Sequence, residues 1–312
     1  IELSIIIPAK SASDPLLSDL IRSIWLQEGR TRVNTELLII TEGNSEEAKA
    51  IGALRAKGEI LCFLCSDNQL TDRNFMGWML WAMKAEKVIG AYTSHYDWVA
   101  QDKPLSRYFA LLGANDPLCW WLGKADRAAY WNTTYLSQIR EFKQEIPSIG
   151  DNGFFVRRKE YVNLISSAST HFPMDACEDL RRAGHYRYYI SPRAGLWHRS
   201  GQSWLTYLSN RYRYTRDLYF AQLHKRRWNM VSSRKDWLKV ISFVICSLTV
   251  LPQLLVSARG YLAKRDWAWF LHPLICFLLT LIYGYAWLTH LLRRSSSRPL
   301  AGEIHSQPAS LV

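Results

Sequence analysis

The chain has 312 residues, 48% of them hydrophobic and 21% charged, which excludes a disordered polymer and leaves room for one α/β domain of about 200 residues plus something smaller. Its formal charge of +12 sits at one end: residues 1–197 carry 23 Lys/Arg and 23 Asp/Glu, residues 198–312 carry 16 and 4. The basic end flanks two long apolar runs, which points to anionic lipid headgroups as its partner and away from nucleic acid.

In chain order, Ile1–Pro8 (IELSIIIP) is an unbroken apolar, β-branched run ended by proline and reads as a strand buried on both faces. No signal peptide is visible. Leu16–Trp25 has helical spacing, Glu36–Ile40 (ELLII) is a second buried strand, Ser45–Lys57 a helix and Glu59–Cys65 (EILCFLC) a third strand. This β-α-β-α-β order predicts a parallel sheet with right-handed crossovers. Ligands of such sheets lie beyond the carboxyl ends of the strands, here Pro8–Lys10, Thr41–Asn44 and Ser66–Asn68. A helix over Phe75–Glu86 and a strand over Lys87–Tyr92 follow. From Asp97 to Pro147 no clean period is visible, and a long irregular, aromatic-rich stretch of this kind reads as functional loops. Regular structure resumes with the strand Gly150–Val156, a helix from Arg158 to Ser167 and a short helix around Asp175–Ala183.

The six cysteines form no zinc spacing and no disulfide framework. Cys62 and Cys65 are a CxxC, but inside an apolar strand they read as buried reduced thiols, which suits the cytosol.

Beyond residue 200, Trp204, Leu205, Leu208, Tyr212, Tyr219 and Leu223 recur at helical spacing, with Arg211, Arg213 and Arg216 directed elsewhere. This is an aromatic and basic amphipathic helix for a membrane interface or, alternatively, one packed on its own domain. Leu238–Ala258 and Trp267–Thr289, of 21 and 23 residues, are long enough to cross about 30 Å of hydrocarbon as a two-helix hairpin. Pro252 and Pro273 are expected kink positions. Trp267, Trp269, Tyr283, Tyr285 and Trp287 are candidate interfacial anchors. The basic flanks, Lys225 to Lys239 before the first run and Arg293, Arg294 and Arg298 after the second, predict cytoplasmic ends with Arg259–Asp266 opposite. A re-entrant hairpin is the alternative, because that loop holds Arg259, Lys264 and Arg265. Ser295–Val312 reads as a disordered tail. The expected units are 1–200, 201–236 (amphipathic), 237–291 (helix pair) and 292–312 (tail).

Leu61–Asn68 (LCFLCSDN) is an apolar strand that ends in a small residue and an aspartate, where a carboxylate can hold a divalent ion against a diphosphate. The order SIIIP, LLII, AKGEILCFL then an Asp, GDNGFF, CED and a late His resembles family 2 glycosyltransferases of the GT-A fold over roughly residues 3–200, and the two apolar runs resemble its lipid-associated members. The resemblance implies a Rossmann-like mixed α/β sheet flanked by helices, a nucleotide-sugar donor, a divalent metal (Mg or Mn) and inverting transfer. The product would be a glycolipid or polysaccharide precursor, made by a multi-pass protein at the cytoplasmic face of the plasma membrane.

Residue by residue, the family's DxD stands here as Cys65-Ser66-Asp67, without its first aspartate. Asp67 matches the metal-ligating position, or it simply opens a turn. The usual acidic pair after the second strand is Thr41-Glu42, where Glu42 is left to bond base or ribose. Pro8 and Lys10 end the first strand beside the donor. Gly150-Asp151-Asn152 resembles the loop next to the donor sugar, where glycine permits close backbone approach. Cys177-Glu178-Asp179 resembles the xED motif, which implies Asp179 as general base and Glu178 as second choice. Ordinary helix electrostatics would explain the pair too. His198 matches a late metal-binding histidine. Arg211 and Arg213, in Arg211-Tyr212-Arg213-Tyr214, fall where relatives contact the diphosphate, and lipid headgroups are the competing ligand. The acceptor implied is lipid-linked. The alternatives are a polyprenyl-phosphate sugar synthase and an inactive membrane-tethered sugar-nucleotide-binding protein.

Overall fold

The computed structural model describes residues 1–28, 33–85, 87–132, 138–165, 167–168, 171–193, 195–199 and 203–296. Its first half alternates β1 (Leu3–Pro8), α1 (Pro15–Trp25), β2 (Thr35–Ile40), α2 (Ser45–Arg55) and β3 (Ile60–Phe63). Asp14 and Asn44 start the two helices by accepting from backbone N–H groups of the first turn, and Pro15 occupies the first turn of α1. β1 lies between β2 and β3 and is parallel to both. Its alternate residues serve opposite layers: Ile5 and Ile7 pack with α1 residues Leu17, Leu20 and Ile24, while Ile6 packs with Leu61 and Phe63 on the other side.

The sheet then departs from an all-parallel expectation. After β4 (Asn68–Leu70), α3 (Phe75–Met83) and β5 (Gly90–Thr93), the chain runs through α4 (Pro104–Leu112), α5 (Pro117–Leu122) and β6 (Gln138–Glu141). It continues with β7 (Phe154–Arg157), α6 (Arg158–Val162), α7 (Pro173–Arg182), β8 (Arg187–Ser191) and β9 (Leu196–His198). The seven-stranded order is β2-β1-β3-β7-β5-β8-β6, with β7 antiparallel to both β3 and β5 and β6 antiparallel to β8. The fold is a mixed α/β sheet covered by helices. β4 and β9 form a separate antiparallel ribbon.

The stretch 97–147, read as irregular, contains α4 and α5. Both begin with proline in the first turn and end on a glycine with φ of 79°, Gly113 and Gly123. The start and stop signals were in the sequence, but helices of 9 and 6 residues are too short for periodicity to stand out.

Past residue 203 come α8 (Trp204–Arg213), a π-helical turn (Tyr214–Phe220), a short 3₁₀ turn (Leu223–Lys225), α9 (Arg234–Thr249), α10 (Leu251–Ala263), a 3₁₀ turn (Trp267–Leu271) and α11 (His272–Ser296). The expected first span is two helices meeting at 89°, with Val250 at φ 64° as the elbow and Pro252, an expected kink position, in the first turn of α10. Proline in the first turn lacks the N–H that would continue α9 and starts the next helix well. Pro273, by contrast, lies in the opening turn of α11, where proline is tolerated without a kink. One stretch, Trp267–Arg293, is long and apolar enough to cross a membrane by itself. Residues 292–296 are helical, so the expected tail does not begin at 292, and 297–312 lie outside the described residues.

Candidate functional site

The site begins at the carboxyl end of β3. Leu64 N–H still bonds to Ile6 O, after which Cys65 N–H bonds to the side chain of Asn68 and turns the chain into β4. β9 pairs with β4 so that Asn68 faces His198, and Arg199 N–H bonds to Asp67 O at 2.8 Å. This ribbon brings together two residues 131 positions apart in sequence: Asp67 Oδ2 and His198 Nε2 are 3.3 Å apart. Burial disfavours both charges, yet each offsets it for the other. Asp67 is held below the usual aspartate range, and His198, aided by Asp151 and Asp126, above the usual histidine range.

The loop before β7 supplies the next group. Gly150, Asn152 and Gly153 have φ of 120°, 46° and 77°, and a Cβ on Gly150 would lie 2.7 Å from that of Pro173, so this loop rests against the start of α7. Arg127 and Asn68 clamp it by donating to Asn152 O (2.9 Å) and Asn152 Oδ1 (3.1 Å). Asp151 is left facing three groups: Lys49 Nζ at 2.9 Å, the Cys65 thiol at 3.2 Å and, electrostatically, His198. Lys49 is 1% exposed and also pairs with Glu46 at 3.2 Å. Its burial is more than offset by Asp151 and Glu46, so it stays charged.

Beyond the Asp67–His198 pair, the Tyr96 ring lies tilted at 5.5 Å from the imidazole and its hydroxyl reaches Asp126 at 3.4 Å. Arg127, also buried, bonds to Asp126 at 2.7 Å. Burial outweighs that arginine and raises Asp126. Asp126 and Arg127 line a cavity of about 260 Å³ with Tyr92, Lys124, Arg140 and Glu145. This cavity lies within the stretch assigned to loops by sequence.

The structure brings together Asp67, Asp151, Asn152, His198 and Gly150. Pro8 is buried at the end of β1 and Lys10 is exposed just beyond it. Glu42 is engaged in a two-pronged, exposed contact with Arg55 at 2.7 and 2.9 Å. Glu178 is clamped by Arg181 and Arg182 at 2.7 and 2.8 Å, and Asp179 by Arg227 at 2.5 Å. The carboxylate that α7 turns inward is Asp175, 1% exposed, which accepts from Arg226 and from Trp228 N–H. Arg226 in turn acts on Glu46. Arg211 donates to Asn115 O at 2.7 Å and lies 3.5 Å from Asp116, while Arg213 bonds to Asn210. The partners of these two arginines are protein groups near α11.

Sequence reasoning missed Lys49, Glu46, Asp126, Arg127, Asp175 and Arg226. One signal was available for Lys49: it shares a helical face with Gly52 and Ala53, small residues that press α2 against the sheet. A lysine in that stripe is buried.

Asp67 and His198 supply one carboxylate and one imidazole 3.3 Å apart, donor types suited to a divalent ion such as Mn²⁺ or Mg²⁺. Among the described residues, no group of three His, Cys, Asp or Glu could hold a metal. An ion bound there would take its remaining ligands from phosphate and water.

Neither the known family models nor the curated proteins include a match to this chain. Among solved structures, it is similar to the mannosyltransferase PcManGT from Pyrobaculum calidifontis, in complex with GDP-Man and Mn²⁺, at 11% identity and a TM-score of 0.47, with 94% of this chain and 88% of that one covered. It is also similar to residues 1–349 of TarS from S. aureus, at 8% identity and a TM-score of 0.40, covering 95% and 92%. The same TarS piece in complex with UDP-GlcNAc gives 10% identity, a TM-score of 0.41 and coverage of 95% and 92%.

Proposed function

We propose that the chain is an inverting glycosyltransferase of the GT-A type and of family 2, moving a sugar from a nucleotide-sugar donor to a lipid-linked acceptor at the cytoplasmic face of the plasma membrane, in glycolipid or polysaccharide assembly. The observation that carries this reading is the convergence of Asp67, Asp151 and His198, from three distant motifs, on one partly buried cluster at the carboxyl end of β3. A parallel βαβ sheet binds ligands at that edge.

The residues divide the work as follows. Asp67 and His198 would hold Mn²⁺ or Mg²⁺, which when bound supplies charge neutralisation for the departing diphosphate. Asp151, fixed by Lys49 and the Asn152 backbone turn, orients sugar hydroxyls. The acceptor oxygen forms its bond to the anomeric carbon as the bond to the diphosphate breaks, and a carboxylate takes the acceptor proton. Asp179 holds that role by motif. Asp126 is the candidate by geometry, because it lines the cavity and acts on the same His198; burial raises both carboxylates, and each is paired with an arginine.

A second reading is a polyprenyl-phosphate sugar synthase. A phosphate acceptor has no proton to lose, which suits an xED pair already bound by three arginines.

Incubating the full chain with a panel of nucleotide sugars, Mn²⁺ or Mg²⁺ and membrane lipid extract, with mass spectrometry of the lipids, tests all of this. A glycosylated lipid should appear and should fall by about 10³-fold or more in Asp67→Ala or excess chelator. Full turnover in chelator overturns the metal assignment. Donor binding without any product supports an inactive sugar-nucleotide-binding protein instead.

A further inference from the structure

The C-terminal helices have their polarity inverted. Where they meet each other, Ser247, Gln253, Ser257 and His272 are all fully buried, and His272 Nε2 bonds with Gln253 Oε1 at 2.9 Å. The outward side is apolar: Leu238, Leu251 and Leu255 are 61%, 64% and 66% exposed. Polar groups inside and leucines outside is the arrangement selected by hydrocarbon, not water. Arg234 and Lys235 at the start of α9 and Arg265 just past α10 are exposed at the two ends of this bent pair and complement anionic headgroups.

The loop between the two apolar runs decides the topology. A crossing hairpin requires Arg259–Asp266 on the far side of the membrane from the N-terminal domain. Instead, Asp266 pairs with Arg107 of α4 at 3.1 Å, Lys264 sits 5.2 Å over the Trp98 ring, and Arg259 sits 5.7 Å over Trp131. The other end of the bent pair is fixed to the same domain: Lys124 bonds to Asp236 at 2.9 Å and Trp121 to Ser242 at 3.0 Å. From Ser242 to the elbow at Val250 is about 12 Å at about 1.5 Å per residue, within one leaflet of a hydrocarbon core about 30 Å thick. α11 stays tied down along its length, through Tyr108 to His272 (2.7 Å), Asp116 to Tyr283 (2.7 Å) and the Tyr212 ring on Tyr285 (5.3 Å).

We propose that the C-terminal helices are a one-sided membrane wedge: the α9–α10 elbow inserts its leucines into the near leaflet of an anionic phospholipid bilayer, α11 lies along the domain, and no segment from Arg234 to Ser296 crosses. This rests on the membrane location proposed above but not on any sugar transfer. The wedge keeps the Asp67–His198 site at a fixed height above one leaflet, where a lipid-borne acceptor presents its head.

The test is labelling of the full chain in sealed inverted and right-side-out membrane vesicles with an impermeant maleimide, comparing Arg22→Cys in α1, Arg265→Cys and Arg293→Cys against the parent, whose thiols are buried or half-buried. All three should label from the same side, within about twofold of each other once solvent exposure is matched. Labelling of Arg265→Cys or Arg293→Cys from the opposite side alone overturns the wedge. In a second arm, Leu251→Asp with Leu255→Asp should cut co-flotation with vesicles of phosphatidylglycerol and phosphatidylethanolamine by about tenfold or more. Undiminished flotation, or a parent chain that fails to float, overturns the lipid partner. Same-side labelling by a chain that turns over no donor leaves the wedge standing and removes only the enzymatic reading.

Discussion

Two regions of this molecule bury polar groups in opposite ways. Around Asp151, the N-terminal domain buries full charges, Lys49 against Asp151 and Glu46, and Asp67 against His198. Where α9, α10 and α11 meet one another the buried groups are neutral, Ser247, Gln253, Ser257 and His272, and the leucines face out, while the buried charge of α9, Asp236, is turned to Lys124 of the N-terminal domain. The difference teaches what each interior is for. A buried charge cluster costs desolvation, and such perturbed charges concentrate at functional sites. A neutral polar seam only holds helices together where hydrophobic contact cannot.

The sharpest break of that contrast is in the charged region. Asp126→Asn, which removes the carboxylate that lines the cavity and acts on His198, should lower turnover by about 10²–10⁴-fold, a loss characteristic of a general base, while Asp179→Asn should lose less. Steady-state rates on an alcohol acceptor decide it. A reversed ranking returns the role to Asp179, and two active variants point to the phosphate acceptor.

Next comes Lys49→Met, which leaves the partly exposed Asp151 and Glu46 without their buried cation and should destabilise by about 3 kcal/mol, the low end for breaking a buried pair because both carboxylates reach water. Adding Glu46→Gln and Asp151→Asn should recover part of that loss in chemical denaturation. An additive triple variant would mean the cluster is not coupled.

The effect of acid is of similar or smaller size. Burial lowers His95 and His171 to about 4 from an ordinary 6.5, with further lowering from Arg127 for His95 and from Lys49 and Arg227 for His171. Between those pH values the unfolded chain binds protons that the folded chain refuses, so stability falls as pH drops from 6.5 towards 4, by on the order of 3 kcal/mol for each histidine. In His171→Gln the fall in denaturation midpoint over this window should roughly halve. An unchanged slope would show that His171 titrates normally.

Smallest is the neutral seam. Tyr108→Phe removes one hydrogen bond, to His272 Nδ1 at 2.7 Å, and should cost about 1 kcal/mol in detergent micelles with site activity unchanged. A loss as large as that of Lys49→Met would mean the two interiors are not different in kind.

By itself, the sequence determined the layered α/β start, because continuous β-branched runs separated by capped, periodic helices have few other ways to bury themselves. It also marked Asp67, Asp151 and His198, whose motifs are local, and the apolar C-terminal third. Tertiary structure decided what local patterns cannot carry. β7 runs antiparallel between β3 and β5. Glu178 and Asp179 face arginines, two of them neighbours on α7 and one 48 residues away, while Asp175 faces inward. The supposed far-side loop returns to Arg107. Hydrophobic period reports which groups leave water, and a membrane-crossing helix and a wedge satisfy it equally. Only the long-range partners of the polar residues between the runs distinguish them.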